Sequence, residues 1–167
     1  MKIIVHILFF LLPAFSFAQK KELTYKDLKV LTGNWAGQLV YTDYSDDKTQ
    51  VTLSAKLGVV DMNDSVALNF TYTEPNGKTV TDKGSMRIYE EGKKLWYDGF
   101  EFDILAVRRN GERLIVIAER EGSDNNKQSD IRETFIIGPM VFNIKKEVKY
   151  EGAEKFFTRN TLQFKKN

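Results

Sequence analysis

The chain contains no cysteine and a single histidine in 167 residues. That histidine, His6, lies in an apolar leader running from Ile3 to Phe17, behind Met1 and Lys2 and ahead of the small residue Ala18. Such a start reads as a secretory signal peptide cut after Ala18, leaving a single domain at 19–167. The run is shorter than the ~20 residues of a spanning helix and carries Pro13, so it points to export, periplasmic or secreted, rather than to a membrane-spanning anchor. No cysteine adjoins the cut, which argues against a lipid-anchored bacterial form.

Once the leader is gone, neither imidazole nor thiol remains. That removes Ser-His-Asp and Cys-His nucleophiles, histidine-ligated haem and the usual zinc sites. Only carboxylate, lysine or tyrosine chemistry is left, and no spacing assigns a catalytic residue, a metal ligand or a cofactor, so the chain reads as a non-enzyme. Charge of one sign is lacking too: Lys and Arg number 25 against 23 Asp and Glu, and Lys2 departs with the leader. Binding nucleic acid or an anionic membrane needs clustered, uncompensated basic groups, so neither is expected as a partner.

Helical periodicity is scarce. ELTYKDLKVL (22–31) supports one or two helical turns, with Thr24 as N-cap and Asp27 in the capping-box position. Beyond it, turn signals recur at YSDDK, DMND, EPNGK, EEGK, DG, NGE, GSDNNKQS, GP and EGAE, separated by runs rich in Val, Ile, Thr, Phe and Tyr. These predict about 8–10 strands joined consecutively, an antiparallel up-and-down meander, with 122–129 as the longest loop.

Alternation assigns the faces. Val51, Leu53, Ala55, Leu57 and Val59 share one side of their strand; Val66, Leu68, Phe70 and Tyr72 share one side of the next. Residues 114–118 are apolar on both sides and call for a cover, either the N-terminal helical turns or a partner. One wet-faced sheet of this size buries its apolar face by closing on itself into a barrel, whose interior has room for one small ligand. Tyr41 and Tyr72 fall on inward parity and are the candidate ligand contacts together with Arg108. Asp82 and Glu133 share inward parity as well, where a charge is costly unless paired, bound to a ligand or near a wet rim. Asp43, Asp46 and Asp47 read as a solvated turn rather than a calcium loop.

Gly33-Asn34-Trp35, ahead of Gly37 and behind the helical turns, resembles the opening motif of the calycin superfamily, which groups lipocalins, avidins and fatty-acid-binding proteins. The resemblance is to a lipocalin-like barrel of an exported bacterial type. It implies that Gly33, Trp35 and Gly37 form a barrel-end closure and that an arginine of the last strand, Arg159 here, packs across Trp35. The functional expectation is an exported barrel holding a small, largely apolar molecule. The alternative is a non-enzymatic envelope protein whose barrel is filled by its own side chains and whose outside, with Trp96, Phe100 and Phe102, meets another envelope protein.

Overall fold

The computed structural model describes residues 22–167, so the leader and its cut lie outside the described residues. A short helix α1 (Tyr25–Lys29) precedes ten strands: β1 (Gly33–Thr42), β2 (Gln50–Asp61), β3 (Ser65–Thr73), β4 (Thr79–Tyr89), β5 (Lys94–Tyr97), β6 (Phe100–Asn110), β7 (Arg113–Asp124), β8 (Lys127–Gly138), β9 (Val141–Tyr150) and β10 (Phe157–Lys166). Each strand pairs antiparallel with the next, and β10 returns to pair with β1, closing the barrel. The expected all-β meander is therefore the observed fold. Closure satisfies the backbone groups that an edge strand would leave open. Among the described residues no helix is long and apolar enough to cross a membrane.

The two ends of the barrel differ. At the α1 end, Leu23, Leu28 and Leu31 are almost fully buried and cap a core of Phe135, Phe142 and Phe164. Trp35 is 1% exposed and stands edge-on to Phe142, with ring centroids 6.4 Å apart. The helix that makes this lid is short, and its local support is the capping contact anticipated from sequence: the Asp27 carboxylate accepts the Thr24 backbone N–H at 2.9 Å. Lys29 and the Tyr25 hydroxyl both bind Asp61 at the end of β2, tying the helix to the barrel.

Two local expectations are corrected, and one strand is irregular. The polar stretch 122–129 is not a loop: β7 runs to Asp124 and β8 starts at Lys127, joined by Asn125 and Asn126, both with positive φ (49° and 60°). Asparagine tolerates the left-handed region that a two-residue hairpin turn demands. The N-terminal helix does not cover β7, because it packs on β3 and β4. Ile115 and Ile117 are instead half-buried on the outer wall, opposite Ile136 and Thr134 of β8. Lastly, β6 carries a bulge between Ile104 and Ala106, so Ile104 pairs with Ala118 while Ala106 pairs with Ile117. An extra residue in one strand flips the parity of everything beyond it.

Candidate functional site: the open half of the barrel

The interior changes character halfway along its axis. Near α1 the inward residues Leu57, Leu68, Met86, Leu95 and Phe142 are at most 1% exposed, so this half is solid. Toward the other end the inward positions Leu39, Tyr41, Val51, Leu53 and Tyr72 are only half-buried, and Val80 and Phe100 at the rim are 41% and 50% exposed. The exposure of these inward-facing apolar side chains leaves this end of the barrel open to solvent, and this open end is called the recess below. Its β1–β3 wall is apolar; its β4–β9 wall is charged.

The charged wall follows from cross-strand register. Glu133 on β8 sits between Ala118 on β7 and Lys146 on β9, one row above the Phe135 layer. Arg120 lies two residues along β7 from Ala118, and its guanidinium stacks 3.8 Å from the Phe100 ring. It also folds against Gly122, where a Cβ would come within 2.0 Å of its Nη1. Asp98, exposed in the turn between β5 and β6, lies beside β4, with its Oδ1 4.0 Å from where a Cβ of Gly84 would be.

Proximity of like charges and burial perturb these groups. Glu133 is 5% exposed, and burial first, then the Asp98 charge, outweighs Lys146 and Arg120 and pushes its carboxyl up to about 8. Asp98 is raised by burial and by Asp82. The Tyr72 hydroxyl is raised by burial, then by Asp82 and Asp98, and that of Tyr97 by burial, then by Glu133 and Asp98. Two buried atoms have no hydrogen-bond partner among the described residues: Glu133 Oε2 and Arg120 Nε. Unpaired buried polar atoms each cost on the order of 1–3 kcal/mol, so few are left in place without a role.

A second set of charges at the same end is fully satisfied. Arg159 donates from Nε to Asp124 Oδ2 at 3.0 Å, from Nη1 to Asp47 at 2.8 Å and from Nη2 to the Tyr150 hydroxyl at 2.5 Å. Lys146 donates to the other Asp124 oxygen at 2.8 Å, and the Tyr44 ring covers the guanidinium at 4.4 Å. Burial raises the Asp124 carboxyl, but the hydrogen bond and charge of Lys146, then Arg159, more than offset it and leave it below the usual range. This network knits the β1–β2 loop to β7, β9 and β10. It is structural, and it occupies both Lys146 and Arg159.

The sequence-derived candidates therefore scatter. Gly33, Trp35 and Gly37 gather at the α1 end, where Trp35 Nε1 donates to the Leu31 carbonyl at 2.7 Å. Arg159 is not there. Register places Lys166, not Arg159, opposite Trp35, with its Nζ 5.1 Å from the ring and bonded to the Val30 carbonyl. A bulge between Thr158 and Asn160 instead turns Arg159 into the network at the far end of β10. Tyr41 and Tyr72 do face the recess. Arg108 does not: beyond the β6 bulge it pairs with Ile115 on the outer face and is exposed. Phe100 and Phe102, expected outside, both fall on inward parity, Phe100 opposite Tyr97 at the rim and Phe102 opposite Leu95 at 2% exposed, while Trp96 remains on the outside at 39%. Asp46 closes its own turn by accepting the N–H groups of Lys48 and Thr49. Sequence reading passed over Asp98, Arg120 and Lys146; for the latter two, inward parity with Ala118 and Ile144 was the available signal.

No protein-family model matches this sequence, and no curated protein matches it. Among solved structures it resembles the Rv2717c protein of M. tuberculosis, with a TM-score of 0.62 at 10% identity, over 85% of this chain and 96% of that one. At that identity the likeness establishes the barrel and carries no chemistry. The site must be argued from its own residues.

Glu133 is the cleanest probe of that argument. Its folded pKa lies above the ordinary value of 4.5, so between about 4.5 and 8 the folded state holds a proton that the unfolded chain has released. Stability then falls as pH rises through that window. Glu133→Gln, which mimics the protonated acid, is expected to flatten the slope and to stabilise the protein at about pH 8 by on the order of 4 kcal/mol, read by urea denaturation at several pH values. A slope unchanged in the variant would show that Glu133 is not the group that titrates.

Proposed function

We propose that the protein is an exported, non-catalytic binding barrel that takes one small amphipathic molecule into the open half of its interior. The observation that carries this reading is Glu133: a buried carboxylate with an unpartnered oxygen, at the floor of a recess whose other wall is half-exposed apolar surface. A barrel of purely structural purpose gains nothing from such a group, since a buried polar atom left without a partner opposes folding. The α1 half, solid with side chains, fits the envelope-scaffold alternative; the open half does not.

The calycin resemblance enters in modified form, with Trp35 as the plug and Lys166 in the position expected of an arginine. Export rests on the leader pattern at residues 1–18. The test is direct titration of the mature chain with 1-decanol by calorimetry, backed by native mass spectrometry. One decanol bound per chain at micromolar to submillimolar affinity is expected. No binding, together with no co-purifying small molecule, would sink the proposal.

A further inference from the structure

The recess is short of positive charge. Among the described residues Asp82, Asp98 and Glu133 form no ion pair, whereas the cations near them are committed elsewhere: Lys146 to Asp124, and Arg159 to Asp124 and Asp47. Arg120 lies flat on Phe100, with Nη1 turned to the Glu121 carbonyl at 3.2 Å. Three carboxylates belong to this end of the barrel: buried Glu133 on β8, exposed Asp98 in the β5–β6 turn, and exposed Asp82 on β4, which is opposite Phe70 and accepts the Lys83 backbone N–H at 2.8 Å. Glu133 is 5% exposed and its Oε2 is unsatisfied. The buried Tyr97 ring and the half-buried Tyr72 ring share this side of the barrel, and Tyr72 lies parallel to Phe70 at 6.0 Å.

We propose that the ligand is an organic cation with an apolar tail: its ammonium group sits among Glu133, Asp98 and Asp82 beside the Tyr97 and Tyr72 rings, and its tail lies along Leu39, Tyr41 and Leu53. This deepens the binding function proposed above and rests on it. Carboxylates supply the charge, and aromatic faces attract an ammonium group that has shed its water. The groups facing Glu133 are Arg120 from β7, Lys146 from β9, Tyr97 from β5, Asp98 from the following turn and, further off, Asp82 from β4. In the free protein Glu133 offsets the shortage of cations by taking up a proton near neutral pH, as its raised pKa of about 8 indicates. A bound ammonium group displaces that proton.

The experiment compares three probes with the same tail and different heads, each below its self-association concentration: decyltrimethylammonium, decyl sulfate and 1-decanol. Calorimetry uses the mature chain. The quaternary head carries a permanent charge, so any pH dependence belongs to the protein. Decyltrimethylammonium is expected to bind at least about tenfold more tightly than decanol at about pH 8.5, with decyl sulfate weakest. Its affinity should rise roughly tenfold from about pH 6.5 to 8.5, with proton release detected as a buffer-dependent heat. Glu133→Gln should abolish both the preference and the pH dependence while decanol still binds; Asp98→Asn should reduce the preference. Equal binding of all three, or tighter binding of the sulfate, overturns the cation proposal and leaves the binding function standing. Failure of all three, decanol included, overturns both.

Discussion

Arg159→Ala is expected to cost about 3–5 kcal/mol and to lower the melting temperature by roughly 10–15 °C. The side chain is fully buried, and three partners converge on it. Removing it leaves Asp124, whose side chain is 2% exposed, with Lys146 as its one remaining cation, and uncovers the Tyr44 and Phe157 rings. The cost arises from the stranded carboxylate more than from the lost attraction, so a second variant separates the two. Arg159→Met combined with Asp124→Asn keeps volume and removes the charge, and should recover much of the loss. The sign with pH is fixed as well. Asp124 is held below its ordinary value of 3.8, so its contribution is present above that pH and disappears as pH falls through its lower folded value. The gap between wild type and Arg159→Met should therefore narrow in acid, below about pH 4. Equal stability of Arg159→Ala and wild type in urea would show that the network does not hold the β1–β2 loop to the barrel.

Gly37→Ala is expected to be at least as damaging. An added Cβ would lie 1.8 Å from the Gln163 carbonyl oxygen and 2.9 Å from the Phe164 Cα, both backbone atoms of β10. No rotamer relieves a clash with backbone, so β1 and β10 must separate at the seam that closes the barrel. A loss of about 3 kcal/mol or more, or insoluble expression, is the anticipated outcome. Gly58→Ala is the matched control, because its added Cβ meets only the Asn34 side chain, at 3.8 Å. It should stay within about 1 kcal/mol of wild type by urea denaturation. Comparable behaviour of the two variants would remove the close approach of β1 to β10 as the reason for Gly37.

Those two residues also show what a single sequence exposes. The meander was legible because period-2 runs such as Val51 to Val59 each end in a turn signal, and a sheet with one wet face has few ways to hide the other. Close packing at Trp35 was legible from a large ring between two glycines, and its place at the barrel end came from the calycin resemblance. The partner of Trp35 was not legible. Register between β1 and β10 depends on closure across some 125 residues, and the bulge beside Arg159 leaves no mark in composition. The β6 bulge at Leu105 is equally silent: the extra residue is a leucine, 53% exposed. That one residue put Arg108 outside. The Asn125-Asn126 turn was hidden for another reason, since polar residues on both faces of a hairpin tip look like a loop until Asp124 and Ser129 are seen buried at 4% and 3%.

Glu133 was visible on inward parity with Phe135 and Ile137, but parity alone does not tell a wet rim from a dry floor. Depth decides it, and depth follows from where the plug lies. With Trp35 and α1 filling one half, Glu133 falls at the boundary between packed core and open recess, where a carboxylate is expensive to keep and useful to a ligand.

The proposed ligand is predicted to enter the open half and stop at that boundary. Amide and side-chain chemical shifts of the isotopically labelled mature chain, followed during titration with decyltrimethylammonium and with decanol, test it most directly. Saturable shifts are predicted at Leu39, Tyr41, Leu53, Tyr72 and Glu133, with Trp35 and Phe164 unmoved. Shifts confined to the outer wall around Trp96 and Leu105, or no saturable shifts at all, would contradict it.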